Sequence, residues 1–179
     1  MALAHAILVT LLDKPQSGYE LGKRFDKTVG VFWRARHQQI YSELHRLADK
    51  GWVTGRTVTQ HDRPNRIEYT ITDRGRAAVQ AWAAETVEPP SVKEELVVKL
   101  FALGTVPSAV IREQLRQRRA LHQRNLGEYA QVMARYYPDP ARLSGPALGR
   151  YLGLRCGIRS EQTGVDWCDE ALAALAEAS

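Results

Sequence analysis

Apolar residues recur along most of this chain at intervals of three or four and alternate in one short stretch, and these two periods divide it into elements. Leu3, Ile7, Leu8, Leu11 and Leu12 keep the helical period over residues 2–12, and Lys14, Pro15, Gln16, Ser17 and Gly18 interrupt it. Ser17 with Glu20 three residues later has the form of a capping box, so a second helix begins near Gly18 with Leu21 and Phe25 on one face. Gly30 ends that helix or opens the next turn. Ile40, Leu44 and Leu47 then mark a third helix over residues 35–50, closed by Gly51.

Residues 52–59 and 67–72 are rich in Val, Thr, Ile and Tyr and flank a polar turn, residues 61–66, which predicts a β-hairpin with a basic tip. Asp73 begins a fourth helix with Ala77, Ala78, Ala81 and Trp82 as its apolar positions, and Glu88-Pro89-Pro90-Ser91 breaks it. That break predicts two domains, residues 1–88 and 92–179. The second reads as wholly helical: a short helix over residues 93–103 ended by Gly104, a long one opened by Pro107 and stopped by Pro138-Asp139-Pro140, and a last one over residues 146–178. In the last helix Tyr151, Ile158, Val165 and Leu172 fall seven apart, with Leu154, Glu161, Cys168 and Leu175 in the second seam position. Only Glu161 breaks the pattern. So long an apolar stripe in so small a domain predicts a dimer contact through Tyr151, Leu154, Ile158, Val165 and Leu172, with packing inside one chain as the alternative. Gly149, Gly153 and Gly157, four apart, predict the close approach of another backbone.

Composition supports a folded protein, since 44% of the residues are hydrophobic and 25% charged among 179. The net charge of +5 favours anionic partners, and its distribution says more. Ten Lys or Arg stand against four Asp or Glu between Lys23 and Arg66, whereas residues 92–179 hold twelve against ten. The apolar run at the start lacks a basic flank and a cleavage-like site and is too short for a bilayer, so a cytoplasmic location without membrane contact is expected. Cys156 and Cys168 are about 18 Å apart along one helix and cannot pair.

Three helices followed by a hairpin make the order of a winged helix-turn-helix, whose third helix enters the major groove of DNA. The face of that helix opposite its apolar stripe carries Gln38, Ser42, His45 and Asp49, flanked by Gln39, Tyr41 and Arg46. Gln, Ser, His and Tyr can read base edges by hydrogen bonds, and Lys23, Arg24, Lys27, Arg34 and Arg36 suit the phosphates around them. Arg63, Asn65 and Arg66 at the wing tip add phosphate or minor-groove contacts. His37 belongs to the same surface. Tyr41 lies at the edge of the stripe, where packing and DNA contact are both open.

On Gly18-Tyr19-Glu20-Leu21, Gln39-Ile40-Tyr41 with Glu43-Leu44 and Leu47, Gly51, and Tyr69-Thr70-Ile71-Thr72 with Gly75, the chain resembles the PadR family of transcriptional regulators. The likeness is specific over residues 1 to about 85 and rests on architecture beyond. It implies a mainly α fold with a small β-hairpin wing and a long-helix C-terminal domain that makes a dimer. It further implies a repressor binding double-stranded DNA at a palindromic operator, and a small, often aromatic effector bound near the C-terminal domain or dimer interface. Tyr19, Gln38, Gln39 and Tyr41 are then the leading DNA contacts. Position 38 is often a small hydroxyl residue in the family and is Gln here, while Trp52 replaces a more usual aliphatic.

A second reading keeps the fold but gives the winged helix a protein partner instead of DNA. An enzyme is the weakest reading, because no nucleophile elbow, phosphate loop, zinc signature or close carboxylate pair appears. His5, His37, His45, His61 and His122 have no metal-like spacing, so neither metal nor cofactor is expected. Trp82 and Trp167 could line an effector pocket, but core packing is the better single assignment.

Overall fold

In the computed structural model, which describes residues 2–27, 35–59, 65–89 and 94–177, helix α1 spans Ala2–Leu11 and buries Ile7, Leu8 and Leu11 almost completely. Helix α2, Gly18–Lys27, starts at the expected box: the Ser17 N–H donates to Glu20 Oε2 at 2.9 Å, and the Glu20 N–H donates to Ser17 Oγ at 3.3 Å. Leu21 is fully buried, while the Phe25 side chain, expected beside it, lies outside the described residues. Helix α3, His37–Asp49, turns Ile40, Leu44 and Leu47 inward, each with no exposed surface. The chain leaves α3 through Gly51, whose φ of 68° only glycine adopts without strain.

Strands β2, Val53–Val58, and β3, Arg66–Ile71, pair antiparallel from Val53 opposite Ile71 to Val58 opposite Arg66. The segment before α2, expected to be an interruption, contributes a strand of its own. Gln16–Ser17, here β1 and first of the three strands in chain order, pairs antiparallel with β3, with Gln16 opposite Tyr69, and makes the sheet three-stranded in the order β1, β3, β2. The buried Gln16 side chain holds the strand to α1 by donating to the Thr10 carbonyl at 3.0 Å.

Helix α4, Asp73–Ala83, is capped by Thr72, whose Oγ1 accepts from the Gly75 N–H at 3.1 Å and donates to the Gly51 carbonyl at 2.7 Å. Gly75 is required there, because a Cβ would stand 2.2 Å from the Trp52 carbonyl oxygen. Of the four apolar positions expected in α4, Ala77 and Ala81 face solvent, and Val79 packs on the core instead. Trp82 stacks on the buried His5 ring with centroids 4.8 Å apart. The chain divides into two compact units, Met1–Glu88 and Pro89–Ser179.

In the second unit α5 runs from Glu95 to Leu100, shorter at both ends than residues 93–103. Glu94 caps it by accepting from the Leu96 N–H, and the same carboxylate receives both Nη1 and Nη2 of Arg118, at 3.0 and 2.9 Å. Arg118 therefore holds the Glu94 carboxyl below its usual pKa range. Helices α6, Ser108–Tyr136, and α7, Gly145–Glu177, lie antiparallel: Arg112 meets Leu175, Arg119 meets Asp169, His122 meets Glu161 and Tyr137 meets Tyr151. Pro107 stands just outside α6, as its cap residue.

The heptad-spaced residues of α7 are partly used inside this single chain. Leu154 and Val165 are each 6% exposed, and Leu172 packs on the cluster formed by Leu96, Ile111, Leu115, Cys168 and Leu175. Tyr151 and Ile158 remain half-buried. The helix that packs along them is α6, almost as long as α7. Glu161, the apparent break, is satisfied across the pair by His122 Nδ1 at 2.5 Å and Asn125 Nδ2 at 3.1 Å. Gly149 has open space around it, whereas Gly157 is buried.

Candidate nucleic-acid interface

Because α3 spends its apolar stripe on the core, its other side is left to solvent. Gln38, Ser42, His45 and Asp49 are all exposed there, as are Gln39 and Arg46 at its flanks. Glu43 is half-buried and answered by Arg46 Nη1 at 3.3 Å, so the middle of this face is polar without net negative charge. Such a surface offers hydrogen-bond donors and acceptors at helical spacing, the arrangement a major groove can receive.

Not every side chain assigned to this surface is uncommitted. The Gln39 Oε1 accepts the Arg36 N–H at 2.9 Å and so caps the start of α3, a bond that does not use its amide nitrogen. Tyr41 presses its ring against Gly18 and remains 41% exposed, so it packs on one edge and is open on the other. Its neighbour Tyr69 is buried, and burial, with a smaller contribution from Tyr41, raises the Tyr69 phenol above its ordinary pKa. Arg36 and His37 are exposed at the N-terminal end of α3.

On α2, Tyr19 is 55% exposed and carries Lys23 Nζ 4.5 Å above its ring, which places a cation over an aromatic ring on the exposed side of α2. At the wing, Asn65 is exposed. Arg66 opens β3 and donates from Nη1 to Glu20 Oε1 at 3.1 Å, with Glu68 3.7 Å away. Its charge is thus answered by two carboxylates of its own chain, which makes it an anchor of the wing to α2. Arg34 and Arg63 lie outside the described residues.

Sequence reasoning missed Glu20 as that anchor and Gly18 as the floor under Tyr41. Glycines one turn apart in an otherwise good helix were the available sign. Among the described residues no group of three His, Cys, Asp or Glu is placed to hold a metal, and no helix is long and apolar enough to cross a membrane. Cys156 and Cys168 are both free thiols, and burial raises the Cys168 pKa.

Three helices, a three-stranded sheet with a wing, and a separate unit of long antiparallel helices define a winged helix-turn-helix regulator with a helical C-terminal extension. Residues 7–81 match the transcriptional regulator PadR-like family, and residues 92–176 match a family described as virulence activator alpha C-term. The Mycobacterium tuberculosis "Probable transcriptional regulator Rv1176c" is 42% identical over 187 residues, covering 99% of each chain. The Bacillus subtilis negative transcriptional regulator PadR is 33% identical over 178 residues, covering 97% of each. Its crystal structure in complex with operator DNA superposes with a TM-score of 0.85 at 28% identity, over 98% of this chain and 99% of that one. The same protein in complex with p-coumaric acid gives 0.79, at the same identity and coverage. The Vibrio cholerae virulence activator AphA gives 0.82 at 31% identity, over 99% of both chains. The chain belongs to the PadR-like family of transcriptional regulators.

Proposed function

We propose that this protein is a homodimeric repressor that binds a palindromic operator in double-stranded DNA and is released by a small aromatic effector. The observation that carries the reading is the outward face of α3, where Gln38, Gln39, Ser42 and His45 present hydrogen-bonding groups at helical spacing while Ile40, Leu44 and Leu47 fix the helix from behind. Tyr19, Lys23, Arg36, His37 and Tyr41 border that face and supply phosphate or edge contacts, together with Asn65, Arg63 and Arg34. Arg66, which also ties the wing to α2, adds a further phosphate contact.

The full-length relative that binds operator DNA and p-coumaric acid, and is named a negative regulator, supports the choice of DNA, of an aromatic acid and of repression. A dimer suits the same reading, because two recognition helices about 34 Å apart meet successive major grooves on one side of the duplex. An effector with higher affinity for a conformation that fits DNA poorly lowers DNA affinity by that difference.

Selection of fragments from sheared DNA of the encoding organism, followed by sequencing, tests the whole reading. The enriched fragments should share an inverted repeat whose half-sites lie about one helical turn apart, upstream of genes whose transcription rises when this gene is deleted. Enrichment without symmetry would contradict the dimer on DNA, a fall in transcription would reverse the sign, and no enrichment at low salt would leave the protein-partner reading in its place.

A further inference from the structure

Glycine is a poor helix former, yet α2 carries two glycines one turn apart, Gly18 and Gly22, and both are buried. Backbone geometry does not call for them, since among the described residues the glycines with positive φ are Gly51, Gly104 and Gly145. What each admits is a ring from α3. A Cβ on Gly18 would lie 2.4 Å from Cε1 and 3.0 Å from Cδ1 of Tyr41, and a Cβ on Gly22 would lie 3.3 Å from Nε2 of His37.

His37 and Tyr41 are themselves one turn apart, so they stand on one side of α3, one above the other. The two rings meet the two bare positions in opposite order along the helices: the earlier ring rests on the later glycine. One such contact would act as a pivot, whereas two fix both the rotation of α3 about its axis and its height above α2. We propose that Gly18 and Gly22 are positioning residues for DNA recognition, forming a seat bare of side chains that sets the Tyr41 and His37 rings and, through them, the presentation of Gln38, Ser42 and His45.

This inference rests on the DNA-binding reading above and adds to it a source of specificity that never touches DNA. Its two halves differ in strength. At Gly18 the separation is far below contact distance, so an added methyl group must expel the Tyr41 ring. At Gly22 the imidazole has only to give by a few tenths of an ångström. The helix itself gains from either alanine, so a loss of DNA affinity would not come from a weakened α2.

The test uses the full chain, a labelled duplex recovered by selection, and the variants Gly18→Ala, Gly22→Ala, Tyr41→Ala and the Gly18→Ala/Tyr41→Ala double. In the free wild type, nuclear Overhauser contacts should join the Gly18 α-protons to the Tyr41 ring. Gly18→Ala should bind the duplex about tenfold more weakly, the order of one lost base contact, and Gly22→Ala should lose less. Melting temperatures should stay near the wild-type value, and Gly18→Ala should cost nothing further when Tyr41 is already alanine. Equal losses in both backgrounds, unchanged affinity in Gly18→Ala, or a missing Overhauser contact would each overturn the seat. If Gly18→Ala proves unstable, Gly22→Ala paired with His37→Ala carries the same comparison. A wild type that shows the Overhauser contact but binds no duplex would instead defeat the DNA reading, and with it the positioning role.

Discussion

Glu20 and Arg66, near the candidate interface, each serve two neighbours, and this sharing shapes what substitution of Glu20 should do. Glu20 accepts from Ser17 to start α2 and from Arg66 to hold the wing. Its bonds from Ser17, and then the charge of Arg66, lower its pKa despite an opposing effect of burial. Folding thus favours the charged carboxylate: its contribution is complete above the ordinary carboxylate range and is lost as pH falls through the lowered value. Glu20→Gln should cost about 0.5–1 kcal/mol at neutral pH, mostly through the cap because the ion pair is exposed. Denaturant unfolding across pH should show the gap between variant and wild type closing as the medium becomes acidic. Gln39 was legible in the sequence as a polar residue on the right face, but not as the cap of its own helix, because a glutamine three residues after an arginine is not a familiar capping pair. Arg66 was legible as a wing residue, but its bond to Glu20 was not: the two lie 46 positions apart, and no local pattern records that approach.

At the scale of elements, periodicity carried most of the information. Ile40, Leu44 and Leu47 located α3, which buries one face over enough residues to show its period, and β2 and β3 were located by their Val-, Thr- and Ile-rich composition, since β2 buries only Val53. Strand β1 escaped because two residues cannot display an alternation, and its place in the sheet comes from pairing with β3, far along the chain. The seam of α7 was legible as a stripe, but not the share of it that α6 takes, because a heptad pattern looks the same whether a second chain or a neighbouring helix covers it. Glu161 shows how such a pattern hides a solution: the acid is accepted in the seam because His122 and Asn125 bond to it, and His122 fits because position 164 is glycine. A Cβ on Gly164 would stand 2.6 Å from His122 Nε2. Gly164→Ala should therefore destabilise the helical unit by about 1–3 kcal/mol, the ring being driven from its acid. Gly149→Ala, with open space around it, should stabilise the same helix by up to about 1 kcal/mol. Thermal unfolding of the two variants beside the wild type checks both signs.

For the whole molecule, the two units separate two tasks. The first concentrates polar, uncharged groups on α3 within the basic stretch from Lys23 to Arg66, and the second is a long-helix structure with nearly balanced charge. On the proposed function, general affinity for an anionic duplex belongs to the cations of the first unit and sequence preference to α3. Anisotropy titration of a selected duplex and a scrambled one over a range of salt, with wild type and Gln38→Ala, tests that division most directly. The account predicts that wild type binds both duplexes at low salt and only the selected one as salt rises, while Gln38→Ala loses the preference and keeps the salt slope. Preference retained in Gln38→Ala, or no binding of either duplex by wild type at low salt, would contradict it.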